Sequence, residues 1–213
     1  MSPVNKILAE YPKLDSTHGP KDRETVLSCL YEAMRNDIPG DIVEMGCHVG
    51  NMTICLLGMV KELGADKKVY GVDAFQGLPD KTAPDLTNDN CNRVDGGLKC
   101  SRKQLVENIT GFDAGLMDKL VILEGLFSEV TGYPDQVCFA FFDGDLYESI
   151  KDSFDIIYPR VSPGGIICVH DYSNCHYPGV RAITDKYMSG KNDVCTIKSG
   201  VLIINKEGQN AGV

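Results

Sequence analysis

The sequence predicts an α/β fold: a doubly wound, mostly parallel sheet closed by an antiparallel C-terminal hairpin. Three observations carry this. From residue 41 onward, short apolar runs alternate with amphipathic stretches, the pattern of strands joined by crossover helices. The runs are apolar on both faces and rich in Val and Ile, as strands covered by helices on both sides must be. Acidic or glycine residues then stand at the end of each run, and that rim is where a doubly wound sheet binds its ligands.

Taken in order, a helix near 22–36 belongs to an N-terminal helical cap over residues 1–40. "DIVEM" (41–45) is the first strand, followed by a helix at 50–63 that Gly64 ends, since glycine adopts the left-handed conformation at which helices stop. "KVYGV" (68–72) is the second strand. The segment 79–100, "PDKTAPDLTNDNCNRVDGGLKC", is polar, Pro/Gly/Asn-rich and aperiodic; a loop that long inside a compact domain reads as a lid or substrate loop. A helix at 101–110 leads to "LVILE" (120–124) and then "VCFAFF" (137–142). The next helix, 147–158, meets Pro159, "GIICVH" (165–170) follows, and a helix at 179–189 ends before Gly190. The tail "DVCTIKSGVLIINKEG" reads as two strands turning at Ser199 and Gly200.

The 213 residues are enough for one domain with a sizeable core, and no stretch reads as a linker between two cores, so residues 1–213 are taken as a single domain. A net charge of -9 argues against a nucleic-acid partner, whose phosphates need cations. The longest apolar stretches fall well short of the roughly 18 residues of a spanning helix, and "MSPVNKILAEYPKLD" lacks the apolar core of a signal peptide. A cytoplasmic, membrane-free protein is the expectation. The nine cysteines are scattered, mostly in apolar runs, and none forms a C-x-x-C pair; they read as reduced, core-filling thiols, with a Cys91–Cys100 loop disulfide as the minor alternative.

"VEMGCHVGNMT" is a glycine turn between a strand and a helix. A dinucleotide fingerprint, G-x-G-x-x-G, needs its second glycine for backbone approach to a pyrophosphate. Here that position is His48 and the third is Asn51, leaving Gly46 and Gly50. A nicotinamide cofactor would meet a side chain, whereas S-adenosylmethionine has no pyrophosphate and needs only a tight turn. Asp73, at the end of the second strand, stands where it can accept hydrogen bonds from both ribose hydroxyls. A plain strand-to-helix turn with a solvated Glu44 is the structural alternative.

The blocks "VEMGCHVGNMT", "GVDAFQGLPD", "FFDGDLYESIKDSFDIIYPRVSPGGIICVHDY" and "GVRAITDKY" together resemble the macrocin O-methyltransferase family, from about Asp41 to Tyr187. The resemblance implies a Rossmann-like class I methyltransferase fold, S-adenosylmethionine as methyl donor, a divalent metal that is usually Mg, and a sugar or other small metabolite hydroxyl as acceptor. It also implies that the fourth and fifth strands are neighbours. Asp143, which ends the fourth, would then converge with His170 and Asp171, which end the fifth.

On that footing Asp143, His170 and Asp171 are candidate metal ligands, with Asp143 or His170 as the base. Helix capping by Asp143 and turn formation by Asp171 are the structural alternatives. The family resemblance implies two consecutive acids where this chain has His170 and Asp171. An imidazole suits Mn, Fe, Ni or Zn better than Mg, so the metal differs, or His170 has left the shell, or the site is metal-free with His170 as base.

Glu44, Gly46, Cys47 and Gly50 are expected against the methionine part of the donor, Asp73 against its ribose, and Ala74, Phe75 and Gly125 to Ser128, including Phe127, against its adenine. Asp143 lies close to both donor and acceptor. Asp145 and Tyr147 face the acceptor or pack the helix. His18, His48 and His176 have no partner that the sequence names. A homo-oligomer is expected only from the resemblance, and a non-catalytic adenosine-binding protein is the reading from another functional class.

Overall fold

The computed structural model describes residues 1–11, 14, 17–86 and 97–207. Among them seven strands form one sheet: β1 (Asp41–Met45), β2 (Val69–Asp73), β3 (Leu120–Glu124), β4 (Val137–Phe142), β5 (Val161–Val169), β6 (Val194–Lys198) and β7 (Val201–Asn205). Their order is β3-β2-β1-β4-β5-β7-β6, parallel except for β7, which runs antiparallel to both β5 and β6. The helices are α1 (Pro3–Glu10), α2 (Pro20–Arg35), α3 (Thr53–Glu62), α4 (Arg102–Asp113), α5 (Tyr147–Ile157) and α6 (Pro178–Met188).

Alternation along the central strands divides the core. Phe139 and Phe141 of β4, with Ile42 of β1, lie in one buried cluster with Leu27 and Leu30 of α2 and Ile54 of α3. Ala140 and Phe142, with Val43 and Met45, face α5 and α6 and pack on Ile150, Phe154, Val180 and Ile183. Every residue of β4 is buried, which explains its unbroken apolar run, since a central parallel strand has no solvent face.

The sequence-predicted elements recur with shifted edges. Helix α3 starts at Thr53 rather than at residue 50, because Gly50 has φ +92°, outside the helical region. Strand β5 begins at Val161, four residues before the predicted start. Val137 pairs with Val161 but Phe139 with Ile166, so the Ser-Pro-Gly-Gly stretch is a bulge within the strand and not a turn ahead of it. Proline and glycine are tolerated inside strands at such irregularities. Helix α1, which buries Val4 and Ile7, is set by a Ser2 side-chain cap on the Asn5 amide and by Pro3 in the first turn.

Of the predicted 79–100 lid, the described part includes a short 3-10 turn, Ala83–Asp85. Residues 87–96 lie outside the described residues, and Cys91 with them. All eight described cysteines are free thiols and six are buried. No described helix is long and apolar enough to cross a membrane.

Candidate active site

Register assembles the site. Met45, Phe142 and Val169 pair across β1, β4 and β5, so the residues that follow them, Gly46, Asp143 and His170, emerge side by side at the carboxyl edge of the sheet. The Asp143 amide donates to Met45 O at 2.8 Å and the His170 amide to Phe142 O at 2.9 Å. Strand pairing thus extends one residue into the site and fixes where each side chain starts.

Asp143 is partnered by a pair of histidines, the expected His170 and the unexpected His18. His18, in the loop before α2, brings Nε2 to 2.7 Å from Asp143 Oδ2, and His170 brings Nδ1 to 2.8 Å from Asp143 Oδ1. His170 Nδ1 also lies 3.3 Å from Asp171 Oδ2, and its Nε2 lies 3.9 Å from Asp22 Oδ2 at the start of α2. The two imidazoles meet edge to face, 5.0 Å apart, above the ring of Phe141. Burial pushes the Asp143 carboxyl up, but the charges of His170 and His18 outweigh it and hold the group well below the usual carboxylate range. Burial lowers His170, and Asp143 more than reverses that, so the imidazole sits well above its usual range. Asp145 has the opposite fate: burial, then the charges of Asp143 and Asp171, push its carboxyl well up.

The glycine turn and Asp73 form the other half. Asp73 accepts from the His48 amide through Oδ2 at 2.8 Å and from the Phe75 amide through Oδ1 at 2.7 Å. A carboxylate offers about four lone-pair sites, so both oxygens keep capacity for a ligand's hydroxyls. Burial raises the Asp73 carboxyl against those two amides.

A cleft of about 270 Å³ joins the halves. Of the residues expected around the donor, Gly46, Cys47, Asp73, Ala74, Phe127, Ser128 and Asp143 line it. Glu44, Gly50, Phe75 and Gly125 are not among its lining residues. Phe75 belongs to the core on the α2 and α3 side, and the Gly125 amide donates to Asp73 O at 2.9 Å, tying the ends of β3 and β2. His170, Asp171 and Asp145 line the cleft, as do His48 and Tyr177.

Glu44 points from β1 toward α3, where the Thr53 hydroxyl donates to its Oε2 at 2.6 Å. Burial, opposed only by that bond, raises its carboxyl to about 8. The folded chain therefore keeps a proton that the unfolded chain releases near its ordinary value of 4.5. Stability from this group is complete below that value and is lost as pH rises toward 8. At about 1.4 kcal/mol per pH unit, the loss is of the order of a few kcal/mol. Glu44→Gln should flatten the fall in melting temperature between pH 5 and 8; an unchanged slope would mean that Glu44 is ionised in the fold.

Sequence reasoning missed His18, Asn51, Asp22 and Asp85. Asn51 Nδ2 lies 3.2 Å from His18 Nδ1 while its Oδ1 accepts from the Leu14 amide at 3.2 Å. Asp85, buried on the 3-10 turn, accepts from the Tyr147 amide at 2.7 Å and so caps α5 from the lid. Asp85 had a local signal, the T-x-x-D spacing of a capping box with Thr82, and so did Asp22, the N3 acid after Pro20 at a helix start.

Among the described residues, two sets of side chains could hold a metal ion: His18, Asp143 and His170, and the all-carboxylate Asp143, Asp145 and Asp171. His170 Nδ1 makes no hydrogen bond of in-line geometry despite its short distance to Asp143. A buried nitrogen directed at a carboxylate without a hydrogen bond fits convergence of both on a cation, so these residues fit a metal.

This sheet order, with an antiparallel seventh strand and a cleft over the carboxyl ends of β1, β2, β4 and β5, defines a class I methyltransferase architecture. The chain matches the family model described as macrocin O-methyltransferase (TylF) over residues 9–202, and it belongs to that family. It is 32% identical over 176 residues to demethyldecarbamoylnovobiocin O-methyltransferase of Streptomyces niveus, covering 79% of this chain and 66% of that protein. To mycinamicin III 3''-O-methyltransferase of Micromonospora griseorubida it is 29% identical over 209 residues, covering 93% of this chain and 79% of that one. The solved O-methyltransferase NovP superposes with a TM-score of 0.78 at 30% identity, over 89% of this chain and 81% of its own. The chain thus spans just under two thirds of the length of the Streptomyces niveus relative.

Proposed function

We propose that this chain transfers a methyl group from S-adenosylmethionine to a hydroxyl of a sugar or other small secondary metabolite, with a divalent cation at Asp143. The observation that carries the reading is one cleft with two chemically different ends. Gly46, Cys47 and Asp73 line one end, suited to a nucleoside, and Asp143, His170 and Asp171 line the other, suited to activating an oxygen. The relatives' names supply the acceptor class.

Each group has a task. The turn at Gly46 lets the backbone lie close to the donor, and the Asp73 oxygens accept from its ribose hydroxyls. Phe127 and Ser128 wall the same cleft from the loop after β3. A sulfonium carries a good leaving group, so most of the remaining work is alignment of the acceptor oxygen with the methyl carbon and sulfur. Asp143 would hold the cation, joined either by His170 and His18 or by Asp145 and Asp171. When bound it supplies a lowered pKa for an alcohol otherwise too weak as a nucleophile. Asp143 and His170 share the proton-holding positions beside the acceptor end.

One observation favours a second reading. Asp143 already faces two imidazoles, at 2.7 and 2.8 Å, so a protonated His170 can balance its charge without an ion; a metal-free site follows, in which His170 must first release that proton to serve as base.

The test is incubation of the protein with S-adenosylmethionine and a panel of glycosides bearing unmethylated sugar hydroxyls. Mass spectrometry should find S-adenosylhomocysteine and a product one methyl heavier, and Asp73→Asn should weaken S-adenosylhomocysteine binding by about tenfold or more, the worth of a hydrogen bond to a charged group. Absence of S-adenosylhomocysteine binding to the wild type would end this reading.

A further inference from the structure

We propose that His18 joins Asp143 and His170 as the protein ligands of a first-row transition ion such as Mn²⁺, Fe²⁺ or Co²⁺, so that the site rejects Mg²⁺. The proposal rests on the reading of a cation at Asp143 and assigns that cation's chemical class. Its third ligand comes from the loop before α2, outside the strand ends that supply the other two.

Geometry gives the first argument. One ligand atom from each of the three residues lies within 4.8 Å of the others. Ligands about 2.0–2.2 Å from a common ion are separated by roughly 3–4 Å, so side-chain adjustments of the order of an ångström close the set. All three residues line the cleft, which leaves the ion's other positions facing an acceptor.

The second argument is the polar atom left over. His170 is 92% buried, being 8% exposed, and its Nδ1 has no hydrogen bond of proper angle. Such an atom is costly unless something receives its lone pair or proton. A metal does so without demanding that Asp143 lie in line with the ring.

Outer contacts also suit ligand histidines, which hand their second ring nitrogen to an oxygen. His170 Nε2 lies 3.9 Å from Asp22 Oδ2, beyond hydrogen-bond range but near enough to close with a small shift, and Asp22 itself is fixed by the Gly19 amide at 2.9 Å. His18 Nδ1 lies 3.2 Å from both the Thr17 hydroxyl and Asn51 Nδ2; for Nε2 to offer its lone pair to an ion, Nδ1–H must donate a hydrogen bond to the Thr17 oxygen and the Asn51 amide group must turn away.

Donor chemistry then sets the metal. Two imidazoles and one carboxylate, with open positions, form the arrangement suited to Fe²⁺ and its neighbours in the series, whereas Mg²⁺ demands hard oxygen ligands. The competing set, Asp143, Asp145 and Asp171, is all oxygen and would take Mg²⁺. The two sets share only Asp143.

The experiment titrates the metal-stripped, full-length protein, saturated with S-adenosylhomocysteine, with Mn²⁺, Co²⁺ and Mg²⁺ by calorimetry. Mn²⁺ and Co²⁺ should bind at least about 100-fold more tightly than Mg²⁺. His18→Asn should weaken them by about 100-fold, and Asp171→Asn by no more than a few fold. Because His18→Asn could disturb the fold, pulsed EPR of the manganese-loaded wild type provides an independent readout and should detect nitrogen couplings from two imidazoles. Mg²⁺ binding that survives His18→Asn and vanishes in Asp171→Asn would overturn the proposal in favour of the carboxylate set, leaving the cation reading intact. Intact S-adenosylhomocysteine binding with no divalent ion bound would overturn both, leaving metal-free methyl transfer.

Discussion

Asp143→Asn should lower methyl transfer by about 10²–10⁴-fold, the range that positioned acid–base groups supply, while S-adenosylhomocysteine affinity stays within a few fold. Asparagine keeps the shape and one acceptor oxygen but loses the charge. That charge offsets the burial of His170, which would otherwise lower the imidazole, and it is also the group on which His18 closes at 2.7 Å. Removing it leaves the buried His170 imidazole without its anion, and burial then favours its neutral form. The nucleoside end, built on Gly46 and Asp73, keeps its own contacts to the backbone of His48 and Phe75. A calorimetric titration beside a turnover assay separates the two ends. Equal losses in affinity and turnover would mean that Asp143 supports the cleft as a whole and has no special part in the reaction.

The sequence revealed those parts of the fold and site that depend on neighbouring residues along the chain. Strand β4 was legible because a fully buried parallel strand has no polar positions to disguise it, and its end at Asp143 followed at once. Asp73 was legible because a residue that ends the second strand of such a sheet has only one place to stand. His18 was not, because its loop carries no periodicity and its partner is 125 residues away. Only the packing of α2 against β4 and β5 brings that loop over the strand ends. Glu44 was legible as a residue of β1 but its direction was not: the period of two sends it to the α3 side, beside Thr53. The strand start misjudged at residue 165 has a similar cause, since Pro163 and Gly164 read locally as a turn and only pairing with β4 and β7 makes them a bulge.

Gly46→Ala should be severely damaging. Gly46 has φ +100°, and an added Cβ would stand 2.3 Å from Asp143 O and 2.9 Å from Asp143 C. Those are backbone atoms, held by the Asp143 amide's bond to Met45 O at 2.8 Å, so no side chain can swing away to make room. Either β1 and β4 separate at their ends or the turn is rebuilt, and both outcomes dislodge Asp143 together with the donor-binding backbone. Gly64→Ala is the control: its φ is +60° but nothing lies within 4 Å of the new Cβ. That variant should cost about 1–2 kcal/mol, the left-handed penalty alone, or several degrees in melting temperature at about 2–4 °C per kcal/mol for a chain of this size. Gly46→Ala should cost roughly 3 kcal/mol or more, the scale of severe core overpacking, and should abolish S-adenosylhomocysteine binding in whatever fraction folds. Equal melting temperatures for the two variants would show that the turn at Gly46 relaxes freely, and the close approach of β1 to Asp143 would then not be what holds the two ends of the cleft in register.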